Sequence, residues 1–218
     1  QMNIGIITGA SSGMGKEFVK LTMQNHLELD EIWVIARRKE RLEAWSDLYK
    51  EQKFRILPLD LQKKEDMDYL GKTLEEVQPH IELFIHCAGF GIMGRIQEIS
   101  MEEQAEMVDV NCRSVVEVSS LVLPYMKYRG RMIYMASAAA FLLLSCLSLS
   151  YFCSSLCICF LYRRRILEPP IIATCHHRLT VSGGEGNLHK PCHSLRILRS
   201  LSTILCAFRP EFCEGTLE

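Results

Sequence analysis

The stretch Thr8-Gly9-Ala10-Ser11-Ser12-Gly13-Met14-Gly15 constrains the fold of this chain more than any other. An apolar run (Ile4, Ile6, Ile7) precedes it, and Phe18, Val19 and Leu21 follow at helical spacing, so the segment reads as strand, glycine turn and helix start. Gly9 allows a tight turn out of the strand, Gly13 lets backbone N–H groups come close to a phosphate, and Gly15 lets the helix pack closely on the sheet. A diphosphate placed there meets unpaired N–H donors and the positive end of a helix dipole. An ordinary strand-to-helix turn is the alternative, and a lone glycine triplet does not separate the two.

The rest of the chain supplies context. Met2–Thr8 is almost entirely apolar, as expected of a strand buried on both faces of a parallel sheet. The helix after Gly13 is predicted to end near Asn25-His26. A second strand follows at Glu31–Ala36 and delivers Arg37 and Arg38 at its C-terminal end, where ligands gather in doubly wound sheets. An acidic residue there would bind a ribose hydroxyl pair; arginine instead suits a 2′-phosphate, which favours NADP over NAD. The alternative is two solvated arginines paired with Glu40 or Glu43. Lys39–Tyr49 is predicted to be a helix with Leu42, Trp45 and Leu48 inward, and Phe54, Ile56 and Leu57 form the third strand. Asp60 and Leu61 leave that strand, and Asp60 could serve as a helix N-cap. Lys63–Val77 is the next amphipathic helix. Ile81–Cys87 is the fourth strand, followed by Ala88-Gly89-Phe90-Gly91, and Ser100-x-x-Glu103 is a capping box opening a long helix through Met107 and Val110. Arg131–Ser137 is the fifth strand. Five strand–helix units in series predict an α/β, doubly wound parallel sheet of the Rossmann type, a three-layer sandwich.

The TGxxxGxG spacing, Cys87-Ala88-Gly89, Asp109-Val110-Asn111-Cys112-Arg113-Ser114 and the strand ending at Ser137 together resemble the short-chain dehydrogenase/reductase family. The resemblance implies NAD(P)-dependent reduction of a carbonyl or oxidation of a secondary alcohol, with a small molecule as partner. It implies cofactor contacts from Gly9, Ser11, Ser12, Gly13, Met14, Gly15, Arg37, Arg38, Asp60, Leu61, Ala88 and Gly89, with Asp60 at the adenine. It further implies that Asn111 holds a water for a proton relay and that Ser137 hydrogen-bonds the substrate carbonyl. Where the family carries Asn-Ala-Gly, this chain has Cys87, and a thiol is a weak substitute for an amide that ties strands together.

The family pattern then stops. Its Tyr-x-x-x-Lys pair would fall at Ser150 and Ser154; Tyr151 lies one residue away with Ser155 four beyond it, and no lysine occurs between Lys127 and Lys190. A tyrosine at this place donates the proton and the lysine lowers its pKa. Tyr151 is therefore the catalytic candidate, without its partner. The chain divides accordingly into 1–141, dinucleotide-binding, and 142–218, a divergent tail, so the sheet is predicted to be incomplete or irregular after 141. Leu, Ser and Arg, each with six codons, supply 15, 9 and 7 of the last 77 residues, and eight of the ten cysteines lie there. Such a tail reads as a shifted-frame or alternative C-terminus, poorly ordered from about Pro169, leaving the edge of the fifth strand bare. Leu195, Leu198, Leu201 and Leu205 could make one short helix.

The tail admits two other readings. Phe141–Tyr162 contains no charged residue and precedes Arg163-Arg164-Arg165, the pattern of a membrane span with a basic cytoplasmic flank. Its five serines and its place inside a Rossmann domain argue against that anchor. Cys153-x3-Cys157-x-Cys159 and Cys175-His176-His177 lack the paired knuckles of structural zinc, and no metal is expected.

Composition narrows the partners. At 218 residues the chain suits one α/β domain, and its net charge of −1 with 23% charged residues offers no basis for a nucleic-acid partner. No charged and apolar leader precedes the first strand, which predicts a cytoplasmic protein, with Gln1 reading as an addition before Met2. A homo-oligomer is expected only if the fold is complete.

Overall fold

The computed structural model describes residues 2–25, 28–92, 94–95, 97–136 and 171–175. Strands β1 (Asn3–Thr8), β2 (Glu31–Ile35), β3 (Phe54–Leu57), β4 (His80–His86), β5 (Met126–Ala136) and β6 (Ile171–Cys175) form one sheet in the order β3-β2-β1-β4-β5-β6, every neighbouring pair parallel. The order reverses between β1 and β4, and that switch point opens a crevice at the C-terminal strand ends. Helices α1 (Gly13–Gln24), α2 (Lys39–Leu48), α3 (Lys64–Val77), α4 (Met101–Val108) and α5 (Ser114–Val122) connect the strands.

Burial on both faces explains the largely apolar centres of the strands. Ile4, Ile6, Trp33, Ile35, Phe84, Met132 and Tyr134 meet Leu70 and Leu74 of α3 and Val115, Val118 and Val122 of α5 in one cluster. Their alternates Ile7, Val34, Ile85 and Ile133 point to the opposite face and are equally buried. Helix α1 lies against β1 and β4, and its Phe18 and Val19 are buried.

Four details depart from the sequence reading. In α2, Leu42 and Trp45 are buried as expected, but Leu48 is 67% exposed. Tyr49 takes its place, stacked on Trp45 at 6.1 Å, because residues 42, 45 and 49 follow the i, i+3, i+7 face whereas 48 has turned away from it. The long helix from the Ser100–Glu103 capping box is interrupted by one π-helical turn, Asp109–Arg113, between α4 and α5. Strand β5 begins at Met126 rather than Arg131, with an irregularity opposite Ile81 and Leu83. The edge of β5 is not bare: β6 pairs with it, Met132 opposite Ile171 through Ala136 opposite Cys175. β-Branched Ile171, Ile172 and Thr174 suit a strand. Ser137, Tyr151, Phe141–Tyr162, the cysteines from Cys146 to Cys159, His176-His177 and the leucines 195–205 lie outside the described residues. Among those described, no helix is long and apolar enough to cross a membrane.

Candidate functional site

The C-terminal ends of β1, β2, β4 and β5 open onto a cavity of about 480 Å³. Its wall includes Gly9, Ser11, Ser12, Gly13 and Met14 from the glycine turn, Arg37, Arg38 and Arg41 after β2, Asp60 and Leu61 after β3, and Ala88 and Gly89 after β4. Eleven of the twelve cofactor residues expected from sequence therefore share one cavity. Gly15, the twelfth, is buried in the first turn of α1 behind the wall.

The turn itself needs glycine for two physical reasons. Gly9 and Gly13 adopt φ of 69° and 55°, left-handed conformations that side chains rarely tolerate. A Cβ on Gly15 would come 2.2 Å from the carbonyl oxygen of Gly9, so the helix start is pressed against the turn's own backbone rather than against a strand. Ser12 precedes α1 in extended conformation without capping it through its side chain, and the helix carries no acidic residue in its first turn. The positive helix end thus remains uncompensated by its own sequence.

Arg38 reaches across to that turn. Its Nη2 donates to Ser11 Oγ at 3.1 Å and to Ser12 Oγ at 3.0 Å. Glu43, one of the partners considered from sequence, pairs with Lys39 at 3.4 Å instead. Among the described residues no carboxylate lies within ion-pair distance of Arg37, Arg38 or Arg41. Arg41, which the strand-tip pattern does not mark, also lines the cavity, because one helical turn into α2 returns the same side of the helix to it.

Asp60 is not a helix cap. Its Oδ1 accepts from Gln62 N at 3.2 Å, its own N–H donates to Asp66 Oδ2 at 2.7 Å, and the residue before α3 is Lys63. This short turn holds Asp60 and Leu61 against the cavity.

The wall after β4 is fixed from two sides. Thr8 Oγ1 accepts from both Cys87 N and Ala88 N at 3.1 Å, so the last residue of β1 supplies the tie that Cys87 cannot make by its side chain. Desolvation pushes the Cys87 thiol above its usual range, which favours its protonated form. On the other side Asn111 Nδ2 donates to Phe90 O at 2.7 Å while Phe90 N donates to Asn111 Oδ1 at 3.0 Å. Asn111 thus clamps the 88–91 loop through its amide. A π-helical turn widens the helix by one residue and re-aims a side chain, and here the residue so aimed is Asn111. A Cβ at Gly89 would sit 2.9 Å from Asn111 Oδ1, so glycine is what admits the clamp.

With this geometry in place, the comparison with known proteins is direct: the short chain dehydrogenase family model matches residues 3–155. The chain belongs to the short-chain dehydrogenase family. An uncharacterized oxidoreductase of Staphylococcus aureus strain MRSA252 is 27% identical over 140 residues, 63% of this chain and 59% of the relative. Another, from Staphylococcus saprophyticus, is 32% identical over 136 residues, 62% of this chain and 54% of the relative. The chain therefore spans less than two thirds of the length of these relatives. Among solved structures, an alcohol dehydrogenase from the archaeon Thermococcus sibiricus, complexed with 5-hydroxy-NADP, superimposes with a TM-score of 0.66 at 24% identity, covering 75% of this chain and 69% of that one. At that identity the likeness concerns the fold.

Proposed function

We propose that this short-chain dehydrogenase is an oxidoreductase that binds a nicotinamide dinucleotide, NADP in preference to NAD, and acts on a carbonyl or secondary alcohol of a small molecule. The observation that carries the reading is the cation cluster at the tip of β2: Arg38 bridges to Ser11 and Ser12 beside Arg37 and Arg41, with no carboxylate among them. A carboxylate there would grip two ribose hydroxyls, whereas guanidinium groups suit the extra phosphate that NADP carries on its ribose. The complex of the Thermococcus alcohol dehydrogenase with 5-hydroxy-NADP is in keeping with it.

The residues present suit such a cofactor. Gly9, Gly13, Met14 and the start of α1 would hold the diphosphate, Asp60 and Leu61 the adenine end, and Ala88 and Gly89 a narrow passage under the nicotinamide ribose. When bound, the nicotinamide supplies hydride chemistry. Asn111 shapes the loop alongside, and Ser137 and Tyr151 are assigned to the substrate oxygen by family resemblance alone. Titration with NADPH and NADH tests the reading: NADPH should bind more tightly, and equal affinities would count against it.

One observation favours a second reading, a protein that binds the nucleotide without turning substrate over. Ser150 and Ser154 stand where the family has Tyr and Lys, and Tyr151 has no lysine four residues on, the cation that in the family lowers the tyrosine pKa for proton donation. The frame-shifted origin proposed for residues 142–218 is tested by translating the underlying nucleotides in the other two frames. Absence of a Tyr-x-x-x-Lys shortly after Phe141 in both would dispose of it.

A further inference from the structure

Trp45 is buried in α2, one turn after Arg41. Its ring stacks on Tyr49 at 6.1 Å and on Phe54 at 6.5 Å, which leaves the indole little freedom to rotate. From that fixed position Nε1 donates to the carbonyl oxygen of Ala10 at 3.2 Å, a contact 35 residues apart in sequence. Ala10 N in turn donates to Ile35 O at 3.3 Å, at the end of β2. The peptide between Ala10 and Ser11 is planar and trans, so anchoring its carbonyl towards the indole points the Ser11 N–H the opposite way. The same turn accepts Arg38 on Ser11 and Ser12.

We propose that Trp45 is a positioning residue for recognition of the cofactor's ribose phosphate. By tying Ala10 to the helix that carries Arg41 and begins after Arg38, it holds the serine hydroxyls and the guanidinium groups at one spacing. A diphosphate needs only the glycine turn and the start of α1; an additional phosphate on the ribose needs the turn and α2 together. Loss of the indole N–H therefore weakens discrimination between NADPH and NADH more than it weakens nucleotide binding as such. The inference rests on the NADP reading above.

The test replaces Trp45→Phe, which keeps an aromatic ring against Tyr49 and Phe54 and removes one donor. Trp33→Phe is the control: it also deletes a buried indole N–H, from Trp33 Nε1 to Glu31 Oε2 at 2.9 Å, but at the opposite end of the strands from the cavity. The NADPH over NADH preference should fall about three- to tenfold in Trp45→Phe, the size of one net hydrogen bond, and stay at the wild-type ratio in Trp33→Phe. A wild type with equal affinities sinks the NADP reading and this inference with it. A selective wild type and an equally selective Trp45→Phe sink the inference alone. If Trp45→Phe does not fold, the Trp33→Phe protein still answers, because Trp45 is then its single tryptophan. Its indole N–H resonance should shift more with NADPH than with NADH, and equal shifts overturn the proposal.

Discussion

Asn111 and Phe90 exchange two hydrogen bonds, side-chain amide to main chain in both directions, at 2.7 and 3.0 Å. This pairing fixes the loop that walls the cavity. Asn111→Ala leaves the N–H and C=O of half-buried Phe90 without that partner, at a cost of about 1–3 kcal/mol. Urea denaturation should register that loss, and NADPH affinity should drop alongside it. A variant with wild-type stability and wild-type affinity would show that the loop holds itself.

The cation cluster should govern cofactor choice. Converting Arg37 and Arg38 to alanine removes two guanidinium groups from the cavity wall and breaks the bridge to Ser11 and Ser12. NADPH affinity is expected to fall at least about tenfold, given charge-assisted bonds worth ~1.5–3 kcal/mol each, with NADH affinity nearly unchanged. Parallel losses for both nucleotides would mean that the arginines support the turn rather than read the phosphate.

Gly15→Ala tests the glycine turn. The added Cβ meets main-chain atoms of Gly9 at 2.2 and 2.6 Å, which cannot swing aside as a side chain would. Helix α1 must therefore shift off the turn, at a cost of roughly 1–3 kcal/mol or more. Thermal unfolding at lower temperature together with lost nucleotide binding is expected. A variant that binds normally would require a turn far softer than this geometry.

His86 makes stability depend on pH. Its ring is buried against Phe84 and Tyr134, neither nitrogen has a hydrogen-bond partner among the described residues, and burial lowers its pKa to about 4 from the usual 6.5. The unfolded chain therefore takes up this proton below pH 6.5 while the folded one does not until about 4. The neutral ring's contribution is intact above 6.5 and is lost as pH falls through that window, by up to about 3 kcal/mol. His86→Phe should flatten that part of the stability–pH curve and match or exceed the wild type at pH ~5, since it also removes two unpaired polar atoms. Identical curves for the two proteins would place the acid sensitivity elsewhere.

Catalysis should separate from binding. On the binding-only reading, saturation with NADPH is expected without appreciable carbonyl reduction, because Tyr151 has no lysine four residues on. Steady turnover that disappears in Tyr151→Phe would establish Tyr151 as the proton donor and end the binding-only reading.

What the sequence determined by itself is local or periodic. Largely apolar runs mark β1, β2 and β4, because the central residues of a strand covered on both faces are buried whichever way they point. The glycine spacing marks the turn, because positive φ and contact at 2.2 Å exclude a side chain at Gly9 and Gly15. Ser100 and Glu103 mark a helix start, because their reciprocal bonds span only three residues. What only the tertiary structure decided involves groups far apart in the chain. Thr8 took over the tie to Cys87 and Ala88 across 79 and 80 residues, Trp45 reached Ala10 across 35, and Arg41 joined the arginines of the strand tip. The π-helical turn that aims Asn111 has no composition of its own. The turn holds Asn111, whose amide meets a donor and an acceptor at Phe90 21 residues away, and no pattern along the chain records that distance. Strand β6 belongs with these, since Ile171–Cys175 becomes a strand through the open edge of β5 beside it.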